Sequence, residues 1–149
     1  MEIVNDIYEL AIIKSDIKMK ESIKLKVNFK VKPFEIYEAW LDSLQHSKMT
    51  GGQAKCSLKI GDSFTAWNGY ITGRNIELKP NQEIIQSWRT SDFNENDEDS
   101  NLIIQLKELE NGTELTLIHS NIPEGQTQYE QGWVDHYFAP MKSYFDNIE

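Results

Sequence analysis

The chain has 149 residues, of which 39% are apolar and 11% aromatic, and its formal net charge is −9. This length is enough for one domain with a substantial core, and the composition excludes the disordered, collagen-like and disulfide-rich classes. The negative charge argues against nucleic acid and anionic membrane surfaces as partners, because both attract basic faces. We expect a single domain over residues 1–149, with residues 1–16 as an N-terminal extension.

The cysteine content and the first residues indicate a compartment. Cys56 is the single cysteine, so no disulfide can form within the chain, which is typical of a reducing environment. The N-terminus lacks the basic start and unbroken apolar core of a signal peptide, and no later run approaches the roughly 20 apolar residues of a membrane span. We therefore expect a cytoplasmic protein without a membrane span.

The first third of the chain predicts a strand followed by two short helices. Apolar residues at helical spacing between positions 3 and 11 predict a short amphipathic helix packed on the domain. From Ser22 to Val31 apolar and polar residues alternate, which predicts a half-buried strand. Pro33 suits the first position of a helix, and a second short helix can begin at Asp42 and end at Gly51.

The middle of the chain predicts antiparallel strands joined by tight turns. Asn68-Gly69 predicts a two-residue type I′ hairpin, because both residues tolerate a positive φ. At Pro80-Asn81 proline presets the first corner of a turn and asparagine accepts the second, so residues 70–79 should pair with residues 83–90.

Further strands are predicted on both sides of this hairpin. Residues 56–59 and 63–67 predict short strands before it, and an acidic loop follows it. Beyond the loop, residues 102–109 and 114–120 alternate around Asn111-Gly112, which predicts another type I′ hairpin. The predicted sheet therefore has six or seven strands.

The last part of the chain predicts a long helix. Thr127 and Glu130 have the spacing of a capping box at its start. Gly132 and Pro140 cost a helix interior about 1 and 3 kcal/mol, so we expect a bend that follows a curved sheet. An apolar, largely aromatic stripe runs along the helix, and the sheet is the surface large enough to cover it: Trp133, Tyr137, Met141, Tyr144, Phe145 and Ile148.

The segments FTAWNGYITGRNIELKP, IIQSWR, GTELTL and GWVDHYFAPMKSYF resemble the activators of heat-shock-protein ATPase in the START-like, helix-grip superfamily. The resemblance covers residues 17–145. It implies an α+β fold in which a curved antiparallel sheet of six to seven strands wraps around the last helix, often with a cavity between them. In eukaryotic members the matching domain is the C-terminal half of a co-chaperone that stimulates the ninety-kilodalton heat-shock chaperone.

The cavity implied by the resemblance predicts a set of candidate ligand-binding residues. The apolar candidates are Trp67, Tyr70, Trp88, Trp133, Tyr137 and Met141, and the polar candidates on strands are Glu77, Arg89 and His119. The alternative for the aromatic residues is that they simply fill the core, since each buries a large area wherever it lies. The alternative for the polar residues is a surface ion pair and a hydrogen-bonded, buried histidine.

Motifs for metals, cofactors and catalysis are not recognisable in the sequence. His46, His119 and His136 lack the spacing of a zinc site, and Cys56 lies in no nucleophile motif. Phosphate-binding loops and dinucleotide fingerprints are absent from the sequence as well. We therefore expect no metal and no cofactor.

Three functions remain open from the sequence. The first is a non-enzymatic START-like module that binds a small hydrophobic or amphipathic ligand between sheet and helix. The second, implied by the resemblance, is a chaperone-linked interaction module that partners an HSP-90-type chaperone. The third is a small-molecule enzyme that uses Glu77 or His119 as its polar group. A homodimer is a further possible assembly.

Overall fold

A computed structural model describes residues 21–147, which form a curved antiparallel sheet and a helix laid along it. The strands are β1 (Glu21–Phe29), β2 (Ser63–Ala66), β3 (Ile71–Lys79), β4 (Glu83–Thr90), β5 (Ser100–Leu109) and β6 (Gly112–Ile122). Their order across the sheet is β1-β6-β5-β4-β3-β2. The predicted helix-grip fold is confirmed, with six strands. The predicted helix within residues 3–11 and Ile148 lie outside the described residues.

Two short helices follow β1, as predicted: α1 (Pro33–Leu41) and α2 (Ser43–Thr50). Asp42 separates them, and its carboxylate accepts a hydrogen bond of 2.9 Å from the backbone N–H of Gln45. This bond satisfies one of the free amides at the start of α2. Gly51 ends α2 with a φ of 92°, a conformation that glycine adopts without steric cost.

The C-terminal helix is one helical run with a wide turn in its middle. It consists of α3 (Tyr129–Trp133), a π-helical turn (Val134–Phe138) and α4 (Ala139–Asp146). The π turn ends two residues before Pro140, whose ring would clash with an ordinary helical carbonyl and which has no N–H to donate. A π-helical turn therefore precedes Pro140, and the predicted bend of the helix stays a prediction. The predicted capping box is wrong, because the helix begins at Tyr129 and Gln128 makes no side-chain capping bond.

The turn at Pro80-Asn81 agrees with its prediction. The N–H of Gln82 donates to the carbonyl of Lys79 at 2.9 Å, and Asn81 at the second corner has a φ of 65°. This is the geometry of a type II turn, which requires a positive φ at that corner. Consequently β3 and β4 pair from Lys79 and Glu83 onward, as the sequence indicates.

The turn at Asn68-Gly69 has the predicted type I′ geometry: the two residues have positive φ values of 62° and 89°, and the N–H of Tyr70 donates to the carbonyl of Trp67 at 3.1 Å. Ala66 pairs with Ile71, so the four residues 67–70 join the strands. Asn68 is held by a segment outside the hairpin: its N–H donates to the carbonyl of Gln53, and its Oδ1 accepts from the Gln53 N–H, both at 2.9 Å. These two bonds hold the predicted turn against the segment at Gln53.

The second hairpin forms with a turn that differs from the predicted one. Leu109 pairs with Gly112, so the turn residues are Glu110 and Asn111 rather than Asn111-Gly112. A Cβ added to Gly112 would lie 2.1 Å from the carbonyl oxygen of Phe29. Glycine is required here because the end of β1 approaches the backbone closely.

The predicted strand at residues 56–59 is wrong. Only Lys55 forms a bridge, to Thr65, and the chain then leaves the sheet. The carbonyls of Ser57 and Lys59 instead accept hydrogen bonds from the side-chain amide of Asn75, at 2.8 and 3.0 Å. A buried side chain therefore replaces the backbone partner that a strand would have had.

The core lies between the concave face of the sheet and the C-terminal helix. Phe29 at the end of β1 meets Phe145 edge to face, with ring centroids 5.6 Å apart. Trp88 on β4 lies against Trp133 at 5.3 Å. Fully buried aliphatic residues of β4, β5 and β6 fill the space between these contacts: Ile84, Leu102, Ile104, Leu115 and Leu117. The helix is therefore fixed to the sheet at both ends.

Candidate functional site

A cleft of about 280 Å³ lies between the C-terminal helix and the end of the sheet beside the turn at residues 67–70. We call it the aromatic cleft, and its lining residues are Trp67, Tyr70, Ile71, Trp88, Tyr129, Gly132, Trp133, His136 and Tyr137. All of them except Ile71 and Gly132 carry an aromatic ring. Its walls are almost entirely apolar.

Rings from the sheet and the helix fix one another in the buried part of the aromatic cleft. Trp88 meets Tyr129 edge to face at a centroid distance of 5.2 Å. On the helix, Trp133 and Tyr137 lie 5.0 Å apart at an angle of 51°. Such tilted and edge-to-face contacts are the favoured arrangements of aromatic pairs. These four rings are buried, whereas Tyr70 is 37% exposed and belongs to the rim.

His119 lies behind Trp133 and accepts a hydrogen bond from its indole. The Trp133 Nε1–H donates to His119 Nδ1 at 3.0 Å, and His119 Nε2 lies 2.8 Å from the hydroxyl of Ser100. That hydroxyl donates to the carbonyl of Trp88 at 2.6 Å, so His119 Nε2 carries the proton. Burial lowers the pKa of His119 to about 3. The imidazole is neutral and both its nitrogens are engaged.

A second buried histidine fixes Tyr137. The Tyr137 hydroxyl donates to His46 Nε2 at 2.9 Å, and His46 Nδ1–H donates to the carbonyl of Trp40 at 2.8 Å. Burial lowers the pKa of His46 and raises that of Tyr137. The hydroxyl of Tyr137 is therefore bound to His46 on α2, and Tyr137 lines the aromatic cleft with its ring.

Buried amides continue this polar chain across the sheet. Trp40 Nε1–H donates to Gln86 Oε1 at 3.2 Å, and Gln86 Nε2–H donates to Asn75 Oδ1 at 2.9 Å. Both amide side chains are almost fully buried. Since a buried amide without partners is costly, this chain fixes the positions of β3, β4 and α1 relative to one another.

Hydrogen bonds of the Tyr70 and Tyr129 hydroxyls fix the rim of the aromatic cleft to the neighbouring elements. The Tyr70 hydroxyl donates to Asp92 Oδ2 at 2.6 Å. The Tyr129 hydroxyl donates to Gln126 Oε1 at 2.7 Å and lies 2.6 Å from Thr90 Oγ1. Burial raises the pKa of both tyrosines, so both hydroxyls keep their protons at neutral pH. These bonds thus connect the turn at residues 67–70, the loop after β4 and the start of the C-terminal helix.

The sequence profile described as "Activator of Hsp90 ATPase homolog 1-like protein" matches residues 30–146. The chain belongs to this family. The resemblance predicted from the sequence is therefore confirmed.

Named relatives and a solved structure agree with membership of the Activator of Hsp90 ATPase homolog 1-like family. The chain is 25% identical over 124 residues to the human "Activator of 90 kDa heat shock protein ATPase homolog 1", covering 83% of this chain and 36% of the relative. It is 24% identical over 114 residues to the Dictyostelium discoideum homologue, covering 76% of this chain and 30% of the relative. The chain spans about a third of the length of these relatives.

The solved structure is that of an HSP90 activator from Plasmodium falciparum. It superposes with a TM-score of 0.77 at 25% sequence identity, over 84% of this chain and 96% of that chain. The family fold is therefore shared over nearly the whole described region.

The structure brings five of the nine predicted cavity residues to the aromatic cleft: Trp67, Tyr70, Trp88, Trp133 and Tyr137. Met141 is fully buried in the core, and His119 lies behind Trp133, so neither lines the cleft. Sequence reasoning missed four lining residues: Ile71, Tyr129, Gly132 and His136. Tyr129 and His136 lie four and three residues from Trp133, and Gly132 lies three and four residues from Tyr129 and His136, so the helical period could have found all three.

The prediction that Glu77 and Arg89 border the cavity is wrong. Glu77 is exposed, and the register of β3 against β4 shifts between Asn75 and Glu77. Arg89 is adjacent to the inward-facing Trp88 and therefore lies on the other face of the sheet. Its guanidinium binds Asp99 Oδ1 at 2.7 Å. It also donates to the carbonyls of Asp97 and Asn94, at 3.0 Å each, and so orders the acidic loop.

Metal-binding clusters and membrane-spanning helices are absent from the described residues. Over residues 21–147, no group of three or more His, Cys, Asp or Glu side chains is arranged to hold a metal ion. No helix in the same region is both long and apolar enough to span a membrane. Within that region the indole Nε1 of Trp67 is a buried donor without a hydrogen-bond partner, and its ring meets His136 edge to face at 5.6 Å.

Proposed function

We propose that this protein is a non-enzymatic START-like module that binds a small hydrophobic or amphipathic ligand in the aromatic cleft. The observation that supports it is the aromatic cleft itself, in which rings from the sheet, the turn and the helix converge on one concave surface. Its volume of about 280 Å³ is close to the lower end of the range for small-molecule sites, about 300–1,000 Å³. Such sites are mostly apolar with a few orienting polar groups, as at this rim.

The chemistry of the nearby groups favours binding over turnover. Among the described residues, neither a carboxylate nor a thiol lines the aromatic cleft. His119 uses both nitrogens to hold its neighbours, and Glu77 is exposed elsewhere. Burial raises the pKa of Cys56 to about 12, so its thiol stays protonated at neutral pH. The enzyme alternative, which needs Glu77 or His119 at the ligand, receives no support from this geometry.

Gly132 provides the test of the proposal. A Cβ added there meets no atom within 4 Å, so a larger side chain would extend into open space at the aromatic cleft. Compounds that raise the melting temperature or change the tryptophan fluorescence of the wild type should lose that effect in Gly132→Phe and keep it in the control Gly132→Ala. If no lipid, aromatic or polyketide-like compound behaves in this way, the proposal is wrong. Native mass spectrometry of protein from its own host would identify a retained ligand and test for a homodimer.

A second candidate is a chaperone-linked interaction module, and the family membership favours it. The human and Dictyostelium relatives are named as activators of the 90 kDa heat-shock protein ATPase, and the Plasmodium structure is that of an HSP90 activator. We propose as the alternative that this domain contacts a chaperone of the same class. Pull-down and ATPase assays with the cognate chaperone test it. The alternative is abandoned if the domain neither binds the chaperone nor changes its ATPase rate.

A further inference from the structure

The geometry points to a flat, uncharged aromatic ligand of about two fused rings that carries a hydrogen-bond donor. This inference rests on the proposed function, because it names the class of ligand that the aromatic cleft selects. The size follows from the volume of about 280 Å³. A cavity of about 150 Å³ holds one benzene, so the aromatic cleft encloses roughly eleven non-hydrogen atoms of a ligand, and any further atoms would lie outside its open side.

The ring walls favour a flat aromatic molecule over an aliphatic one. Trp88 stands at 87° to Tyr129 and at 40° to Trp133, so the rings of the cleft present both faces and edges to one another. An inserted ring can continue these edge-to-face and offset contacts, whereas a saturated ring cannot. Each aromatic pair contributes beyond its buried area by a factor of about 2 to 12 in affinity.

Charge excludes an anionic ligand. Among the described lining residues none is a lysine or arginine that could pair with an anion. Asp92 lies 2.6 Å from the Tyr70 hydroxyl at the rim, and the whole chain carries a net charge of −9. Burying an unpaired charge against apolar walls is costly, and a nearby carboxylate adds repulsion for an anion.

The hydrogen bonds of the rim decide the polarity of the ligand. The Tyr70 hydroxyl donates its hydrogen to Asp92, and the Tyr129 hydroxyl donates its hydrogen to Gln126. Each phenol oxygen therefore has only lone pairs to offer. A ligand hydroxyl or N–H can donate to Tyr70 at the exposed rim. A carbonyl or ether oxygen meets no free hydrogen on either tyrosine and is left with the indole N–H of Trp67, a buried donor without a partner on a lining residue.

Matched compounds test these features by isothermal titration calorimetry. The probe is 2-naphthol, which has the expected size, flatness and donor. Decahydro-2-naphthol keeps the skeleton and hydroxyl without flatness, 2-methoxynaphthalene removes the donor, and 2-naphthoate adds a negative charge. We expect 2-naphthol to bind about 3- to 10-fold more tightly than the methyl ether. The decahydro compound and the naphthoate should be weaker by at least the same factor. In Tyr70→Phe the preference over the ether should fall to within about 2-fold.

The outcomes separate the ligand class from the proposed function. The inference would be overturned if the decahydro compound bound as tightly as 2-naphthol. It would also be overturned if a charged compound, either 2-naphthoate or the cation tetramethylammonium, bound more tightly than 2-naphthol. The third contrary result is a preference for 2-naphthol over the methyl ether that stays unchanged in Tyr70→Phe. Suppose that 2-naphthol fails to bind, and that another compound binds the wild type and Gly132→Ala but not Gly132→Phe. The ligand class is then wrong and the proposed function stands. If Gly132→Phe blocks no compound at all, the proposed function fails and the inference fails with it.

Discussion

The indole N–H of Trp133 donates to Nδ1 of His119 at 3.0 Å, and this bond joins a wall of the aromatic cleft to the core of the sheet. It requires a neutral imidazole whose proton is on Nε2, because a doubly protonated ring would point a second N–H at the indole N–H. The protonation state of one fully buried histidine is therefore coupled to the position of the ring that the ligand would contact.

The first prediction concerns acid stability. The pKa of His119 is about 3 in the folded state against 6.5 ordinarily, so below pH 6.5 the unfolded state binds more protons than the folded state. The free energy of unfolding should therefore decrease as pH falls from about 6.5 toward 3, by about 2 kcal/mol at pH 5 for this residue. Urea unfolding at pH 7.5 and pH 5 measures the decrease, which His119→Gln should reduce. An equal decrease in that variant would contradict the prediction.

The second prediction concerns the hydroxyl of Tyr137. Tyr137→Phe keeps the ring but leaves His46 Nε2 without its donor in a buried space. We expect the free energy of unfolding to fall by about 1–3 kcal/mol, because a buried acceptor loses its partner. Tyr144→Phe is the matched control on the same helix, since Tyr144 is only partly buried, and it should change stability by less than about 0.5 kcal/mol. Equal effects of the two substitutions would contradict the role of His46.

The third prediction concerns the acidic loop. Arg89 contacts Asp99 and the carbonyls of Asn94 and Asp97, so Arg89→Ala should release the loop while the sheet stays folded. Hydrogen exchange should accelerate at residues 94–99, with a loss of global stability below about 1 kcal/mol, because the ion pair is partly exposed. Lys79→Ala removes the exposed pair with Glu83 and is the control. Unchanged exchange in the loop of Arg89→Ala would show that the arginine does not order it.

Most of the sheet could be predicted from the sequence because its signals are local. Alternation located β1, β5 and β6, and the φ preferences of Pro80 and Asn81 gave the turn between β3 and β4. The φ preferences of Asn68 and Gly69 gave the turn at residues 67–70 as well, but its hydrogen bonds to Gln53 could not be predicted. Sequence patterns describe a strand's own backbone, whereas docking of a distant segment leaves no periodic signal.

The candidate site could be predicted only in part, for two different physical reasons. The assignment of Arg89 to the cavity conflicts with strand alternation, because its neighbour Trp88 faces inward, so this error was avoidable. The contact between His46 and Tyr137 was not predictable, because it joins residues 91 positions apart through α2, whose position depends on the whole fold. Glu77 follows an irregularity in strand pairing, and such an irregularity changes which face later residues occupy.

The last prediction contrasts two glycines that alanine should affect in opposite directions. A Cβ at Gly132 meets no atom within 4 Å, so Gly132→Ala should stabilise the protein by about 0.5–1 kcal/mol through its higher helix propensity. A Cβ at Gly73 would lie 1.9 Å from the carbonyl oxygen of Ser87 and 2.6 Å from the Phe64 ring, so Gly73→Ala must displace β4 or Phe64. We expect this variant to lose about 1–3 kcal/mol, as measured by urea unfolding. If both variants shifted stability in the same direction, the close approach of β3 and β4 at Gly73, or the open space beside Gly132, would be wrong.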